Sequence, residues 1–130
     1  MPDLPSLAAV GFGAALGGVL RHLVSLWSAE RWGSDFPYGT LLVNVTGAFL
    51  IGVGLTVLLA SVRLNPAWRL FLITGCLGGY TTFSSYAWEA LSLAQAGDYA
   101  RFALYVVGSN LLGLAGVWAG AALAERLVIS

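Results

Sequence analysis

The sequence predicts an all-α membrane protein. It reads as one domain over residues 1–130, with four transmembrane helices and a break in the third near Gly78-Gly79. Three observations predict this. Apolar residues make up 58% of the chain and charged residues 9%, against about 45–50% and about 25% in an ordinary soluble domain. The twelve charges, six basic and six acidic, fall between long uncharged runs rather than within them. Prolines and aromatic residues gather at the ends of those runs. A net charge of zero and the lack of any basic run leave no footprint for nucleic acid. One Cys and one His cannot build a disulfide framework or a multi-Cys/His metal site.

The elements follow from the charges. Residues 4–20 are uncharged between Asp3 and Arg21, residues 36–62 between Asp35 and Arg63, residues 70–88 between Arg69 and Glu89, and residues 102–124 between Arg101 and Glu125. A spanning helix needs about 20 largely apolar residues. The predicted spans are roughly 4–27, 38–62, 69–93 and 99–126. Pro2, Pro5, Pro37 and Pro66 lie at or before helix starts, where a missing N–H costs little. Trp27, Trp32, Tyr38, Trp68, Trp88 and Tyr99 lie near span ends, as interfacial aromatics do. The first span lacks the basic lead-in and the small-residue cleavage site of a signal peptide.

With four spans both termini lie on one side, together with Arg63, Arg69 and Arg126, facing Arg31, Arg101 and, by one count, Arg21. Orientation is set by Lys/Arg imbalance, and here there is almost none. Either something else fixes the orientation, or the chain inserts both ways and opposite copies pair. Four short helices barely surround a polar pathway, which favours an oligomer. Gly13/Gly17, Gly75/Gly79, Gly116/Gly120, Ala48/Gly52 and Ser109/Gly113 are pairs of small residues at four-residue spacing, suited to close helix contact in lipid.

The third span carries Gly78-Gly79 near its midpoint, then Tyr80, Thr81, Thr82, Ser84 and Ser85. Two readings stand. A break there would free carbonyls for a small cation and amides for an anion. A continuous helix would use the glycines for packing alone. Asn44, inside the second span, either lends amide donors to an anion or bonds across a helix pair. In the fourth span Tyr105 and Ser109 share a face, with Asn110 beside them, as a polar track. Phe83 and Tyr86 also share a face, and ring edges carry the positive part of the aromatic quadrupole. No span interior holds Asp, Glu or Lys, the residues of proton relays and cation carriers. Arg21 is either an interfacial anchor or a positive group at a vestibule. This donor-rich interior suits an anion better than a cation.

Three stretches then stand out together. They are Gly75-x-x-Gly78-Gly79-x-Thr81-Thr82-Phe83-Ser84, Gly39-Thr40-Leu41-x-Val43-Asn44-x-x-Gly47-x-Phe49, and Gly17-x-x-x-Arg21. In these, and in length and span number, the chain resembles the bacterial fluoride channels of the Fluc or CrcB family. The resemblance implies an antiparallel, dual-topology homodimer in the bacterial plasma (inner) membrane. It implies a passive, fluoride-selective pore that exports fluoride from the cytoplasm and relieves its toxicity. Neutral hydrogen fluoride enters from acidic surroundings and ionises inside, so a passive pore suffices. The resemblance further implies a structural Na+ at the dimer centre, held by backbone carbonyls at Gly78 and Thr81. The pore residues it implies are Asn44, Phe83, Tyr86, Tyr105 and Ser109, with Arg21, Thr82 and Ser84 as vestibule or supporting groups. Tyr86 departs from the family's usual Phe and adds a hydroxyl to the path.

Rival readings are a small dual-topology multidrug-type exporter and a membrane scaffold subunit without transport. The exporters resemble one another in a first-span glutamate, and residues 4–20 hold none. An enzyme is not expected, since an intramembrane enzyme needs a nucleophile and base at depth. The single His22 lies near a helix end.

Overall fold

A computed structural model describes residues 1, 3–60 and 65–129. Every element is helical. Helix α1 runs Leu4–Trp32 and α2 runs Tyr38–Ala60. The region expected to form the third span comes in two pieces. We call residues 66–80 α3: one α-turn Pro66–Arg69, a widened π-helical stretch Leu70–Leu77, and a last α-turn Gly78–Tyr80. Helix α4 is Phe83–Gln95 and α5 is Tyr99–Ile129. The expected end of the second span at 62, and Arg63 and Pro2, lie outside the described residues.

Local chemistry sets the helix ends. Asp3 caps α1 by accepting from the Ser6 amide at 3.0 Å, and Asn65 caps α3 by accepting from the Ala67 amide at 2.9 Å. Both caps precede a proline in the first helical turn. Helix α4 ends where the Asp98 amide reaches back to the Leu93 carbonyl and the Gly97 amide to that of Ala94, both at 3.0 Å. This closure puts the residue after the cap in left-handed backbone, and Gly97 has φ 76°. Asp98 then caps α5 through the Arg101 amide at 3.1 Å.

Packing follows the predicted small-residue pairs. Helix α1 lies against α3, and α2 lies against α5. A Cβ added to Gly79 would stand 2.5 Å from the Ala14 carbonyl oxygen, and one added to Gly75 2.8 Å from the Gly13 Cα. Gly13 and Gly17 in turn face the backbone of the π-helical stretch, at Phe71 and Cys76. On the other pair, Gly52 meets the backbone of Val117 and Gly120 that of Phe49. Within the single chain the Ser109/Gly113 pair makes no such contact, because a Cβ at Gly113 would meet nothing within 4 Å.

The outside is apolar. Val43, Ala90, Tyr105 and Ala124 are the buried hydrophobic residues among those described, while Phe12, Leu59, Leu114 and Trp118 are each more than 70% exposed. Helices α1, α2 and α5 are long and apolar enough to cross a membrane. Neither piece of the third span alone reaches the ~20 residues a crossing needs.

One expectation is corrected. The break does not lie at Gly78-Gly79: the helix carries on through both, with Gly78 at φ −63° and ψ −37°. It lies at Thr81 (φ −80°, ψ 157°) and Thr82 (φ −149°, ψ 118°), both extended. Gly79 serves contact with α1, as the packing reading held, and the chain opens two residues later.

Candidate functional site

The break exists because another helix takes over its hydrogen bonds. Asn44 of α2 grips Thr82 from both sides. Its Nδ2 donates to the Thr82 carbonyl at 3.0 Å, and its Oδ1 accepts from the Thr82 amide at 2.8 Å. In a continuous helix that amide would close onto the carbonyl four residues back, which is Gly78. The Ser85 amide would likewise close onto Thr81, but it donates to the Thr82 Oγ at 3.3 Å. The carbonyls of Gly78 and Thr81 thus both lose their helical donors. Thr82 is buried, and its hydroxyl caps α4, donating to the Ser85 Oγ at 3.1 Å and lying 3.4 Å from the Ser84 Oγ. Asn44 keeps one amide hydrogen beyond this clasp.

Thr81 donates both its amide (3.0 Å) and its hydroxyl (3.1 Å) to the Leu77 carbonyl. With Gly78, Asn44, Gly47, Leu77 and Val117 it lines a mostly apolar open hollow of about 380 Å³.

Past the break, aromatic rings form a chain. The Phe83 and Tyr86 centroids lie 5.6 Å apart, Tyr86 and Tyr105 5.3 Å, and Tyr105 and Phe36 5.5 Å, edge to face. Tyr105 is fully buried, whereas Phe83 is 79% exposed. Beyond its contact with Tyr86, Phe83 therefore contributes little packing within one chain. Beside these rings the Ser109 Oγ is buried with no hydrogen-bond partner among the described residues. An orphaned buried hydroxyl is costly unless something absent from the single chain satisfies it.

Glu89, which in the sequence only bounds an uncharged run, is central in the structure. The two carboxyl oxygens of Glu89 accept from the Thr40 hydroxyl and the Tyr105 hydroxyl, each at 2.7 Å. This trio ties α2, α4 and α5 together, and its Thr40 and Glu89 line an open hollow of about 370 Å³ with Ser25, Asp35, Phe36 and Trp88. The sequence shows only that Glu89 falls three residues after Tyr86, on the same helical face, and not which hydroxyls it meets. Arg21, half-buried, does not line this hollow. The structure therefore gathers Asn44, Thr81 and Thr82 at the break and Phe83, Tyr86 and Tyr105 in the ring chain, and leaves Arg21 apart.

Together these features define a multi-pass helical membrane protein with a polar, interrupted helix pair, α3 and α4, inside an apolar shell. Comparison with known proteins then places it. The CrcB family, described as "CrcB-like protein, Camphor Resistance (CrcB)", matches residues 8–121, and the chain belongs to that family. A protein of Acidobacterium capsulatum named fluoride-specific ion channel FluC is 49% identical over 119 residues, covering 92% of this chain and 95% of its own length. A protein of the same name from Roseiflexus sp. is 46% identical over 122 residues, covering 94% of this chain and 98% of its own. A third of that name, from Rhizobium meliloti, is 48% identical over 119 residues.

Proposed function

We propose that this protein is a passive, fluoride-selective channel that lets fluoride leave the bacterial cytoplasm across the inner membrane. The observation that carries the reading is near-full-length identity, up to 49%, to proteins named fluoride-specific ion channels. The site is chemically suited to it. Fluoride is small and strongly hydrated, so a path must replace its water with donors. The orphaned Ser109 hydroxyl, the remaining Asn44 amide hydrogen and the ring edges of Phe83, Tyr86 and Tyr105 are such groups.

In this reading four spans cross the membrane, the third as the α3–α4 pair, and two copies assemble as an antiparallel, dual-topology homodimer. The near-even Arg count, the uncovered Phe83 ring and the open hollow beside the break support it. A structural Na+ belongs to the same reading. The residues fit it, since the Gly78 and Thr81 carbonyls are each deprived of a helical donor, and unwound carbonyls suit sodium. The ion would supply a fixed positive charge holding the two breaks together. Flux in sodium-free buffer containing a sodium-chelating cryptand should fall sharply; full flux there would argue against the ion.

The reading is tested in cells. Expression in a bacterial strain lacking its own fluoride exporter should restore growth in fluoride-containing medium. Folded, membrane-inserted protein that restores no growth would overturn it.

A further inference from the structure

Tyr86 and Asn110 meet across α4 and α5 in a way the channel reading does not use. The Asn110 Nδ2 donates to the Val106 carbonyl, one turn back on its own helix, at 2.8 Å. The same nitrogen lies 3.2 Å from the Tyr86 hydroxyl oxygen. The first bond fixes the second. A carbonyl only accepts, so the amide atom facing Val106 must be the nitrogen, and a flipped amide would set two acceptors against each other. An amide nitrogen has two hydrogens and no acceptor capacity. One hydrogen goes to Val106 and the other to Tyr86, so the Tyr86 oxygen is the acceptor in this pair. Its own proton is left to donate elsewhere, and among the described residues it has no acceptor.

The position of that hydroxyl gives the proton a use. Its ring lies between Phe83, at 5.6 Å, and Tyr105, at 5.3 Å, in the ring chain assigned to the ion path. Its partner Asn110 is adjacent in sequence to Ser109, whose buried hydroxyl is unpartnered. A hydroxyl whose oxygen already accepts from Asn110 keeps its own proton to offer to a passing anion.

We propose that Tyr86 contacts the anion in transit, its hydroxyl donating to fluoride, and that Asn110 is the positioning residue that holds the hydroxyl in that sense. This rests on the channel reading and deepens it. The ring edge of a Phe would attract an anion only weakly, and the phenol adds a full hydrogen-bond donor at the same point. The hydroxyl therefore raises the occupancy of this position at low fluoride.

The test measures fluoride efflux from liposomes over a range of internal fluoride, for wild type, Tyr86→Phe, Asn110→Ala and the double variant, each checked for assembly by size exclusion. Tyr86→Phe should raise half-saturating fluoride about tenfold, as expected for loss of one hydrogen bond to an ion, and more than it changes the maximal rate. Asn110→Ala should raise it by less, and should add nothing in the Tyr86→Phe background. A second readout needs no flux: fluoride titration of the detergent-solubilised wild type should bring a red-shifted tyrosine absorbance band that Tyr86→Phe lacks. Unchanged half-saturation in a conducting Tyr86→Phe protein overturns the proposal. So does an Asn110→Ala effect that persists in full without the Tyr86 hydroxyl. A wild type that carries no fluoride overturns the channel reading and this proposal together.

Discussion

Asn44 and Glu89 each tie distant parts of the chain through one side chain. Asn44 satisfies both backbone groups of the buried Thr82. Asn44→Leu keeps the volume but leaves an N–H and a C=O unpaired, so it should cost about 2 kcal/mol or more. Thermal unfolding in detergent checks this, and an unchanged midpoint would mean the clasp contributes little. Glu89 accepts from Thr40 and Tyr105 at 2.7 Å each. Tyr105→Phe retains the rings but removes one donor, and should destabilise the protein by roughly 1–3 kcal/mol on the same assay. Sequence reasoning found Tyr105 but not its partner. In the sequence Glu89 only closes an uncharged run within the expected span 69–93, because one-dimensional spacing shows where a carboxyl sits but not that two hydroxyls converge on it.

At the scale of elements, the glycines of α3 show what was legible and what was not. That Gly75 and Gly79 allow close contact follows from their spacing, and both do touch α1. That the break falls at Thr81-Thr82 does not follow from local sequence. Gly-Gly is locally the weaker helix former, but it is held helical by α1, whereas Thr82 is pulled extended by a residue 38 positions away. Tertiary partners outweighed propensity at both places. Gly79→Ala should therefore be disruptive, since its Cβ would enter the space of the Ala14 backbone, at about 1–3 kcal/mol or more. Gly113→Ala, facing open space in the single chain, should not lower the stability of the monomer fold. Equal losses at the two sites would contradict this packing. At the start of α1, the hydrogen bonds from Ser6 hold the Asp3 carboxyl below its ordinary value of 3.8. A lowered carboxyl stabilises the fold above that value, and the stabilisation is lost as pH falls through the lowered one. Amide exchange at residues 6 and 7 should therefore be slow at neutral pH and speed up, beyond the intrinsic trend, below about pH 4. Asp3→Ala should abolish that pH dependence.

The whole molecule presents an apolar exterior around few buried residues, which was legible from composition alone. So were the three long apolar helices, because twelve charges placed between uncharged runs leave few alternatives. The proposed assembly and ion path are not legible this way, since they would depend on surfaces that one chain leaves uncovered, such as the exposed Phe83 ring. Adding two Lys at the C-terminus should bias insertion and deplete assembled dimers, if opposite orientations pair. Mapping of tagged termini that finds one orientation in the native chain would contradict dual topology. The most direct measurement is anion efflux from liposomes holding the purified protein, with fluoride and chloride loaded in parallel and read by ion-selective electrodes. Rapid fluoride release with chloride retained is the predicted result; no fluoride release from folded, assembled protein, or equal release of both ions, would contradict a fluoride-selective channel.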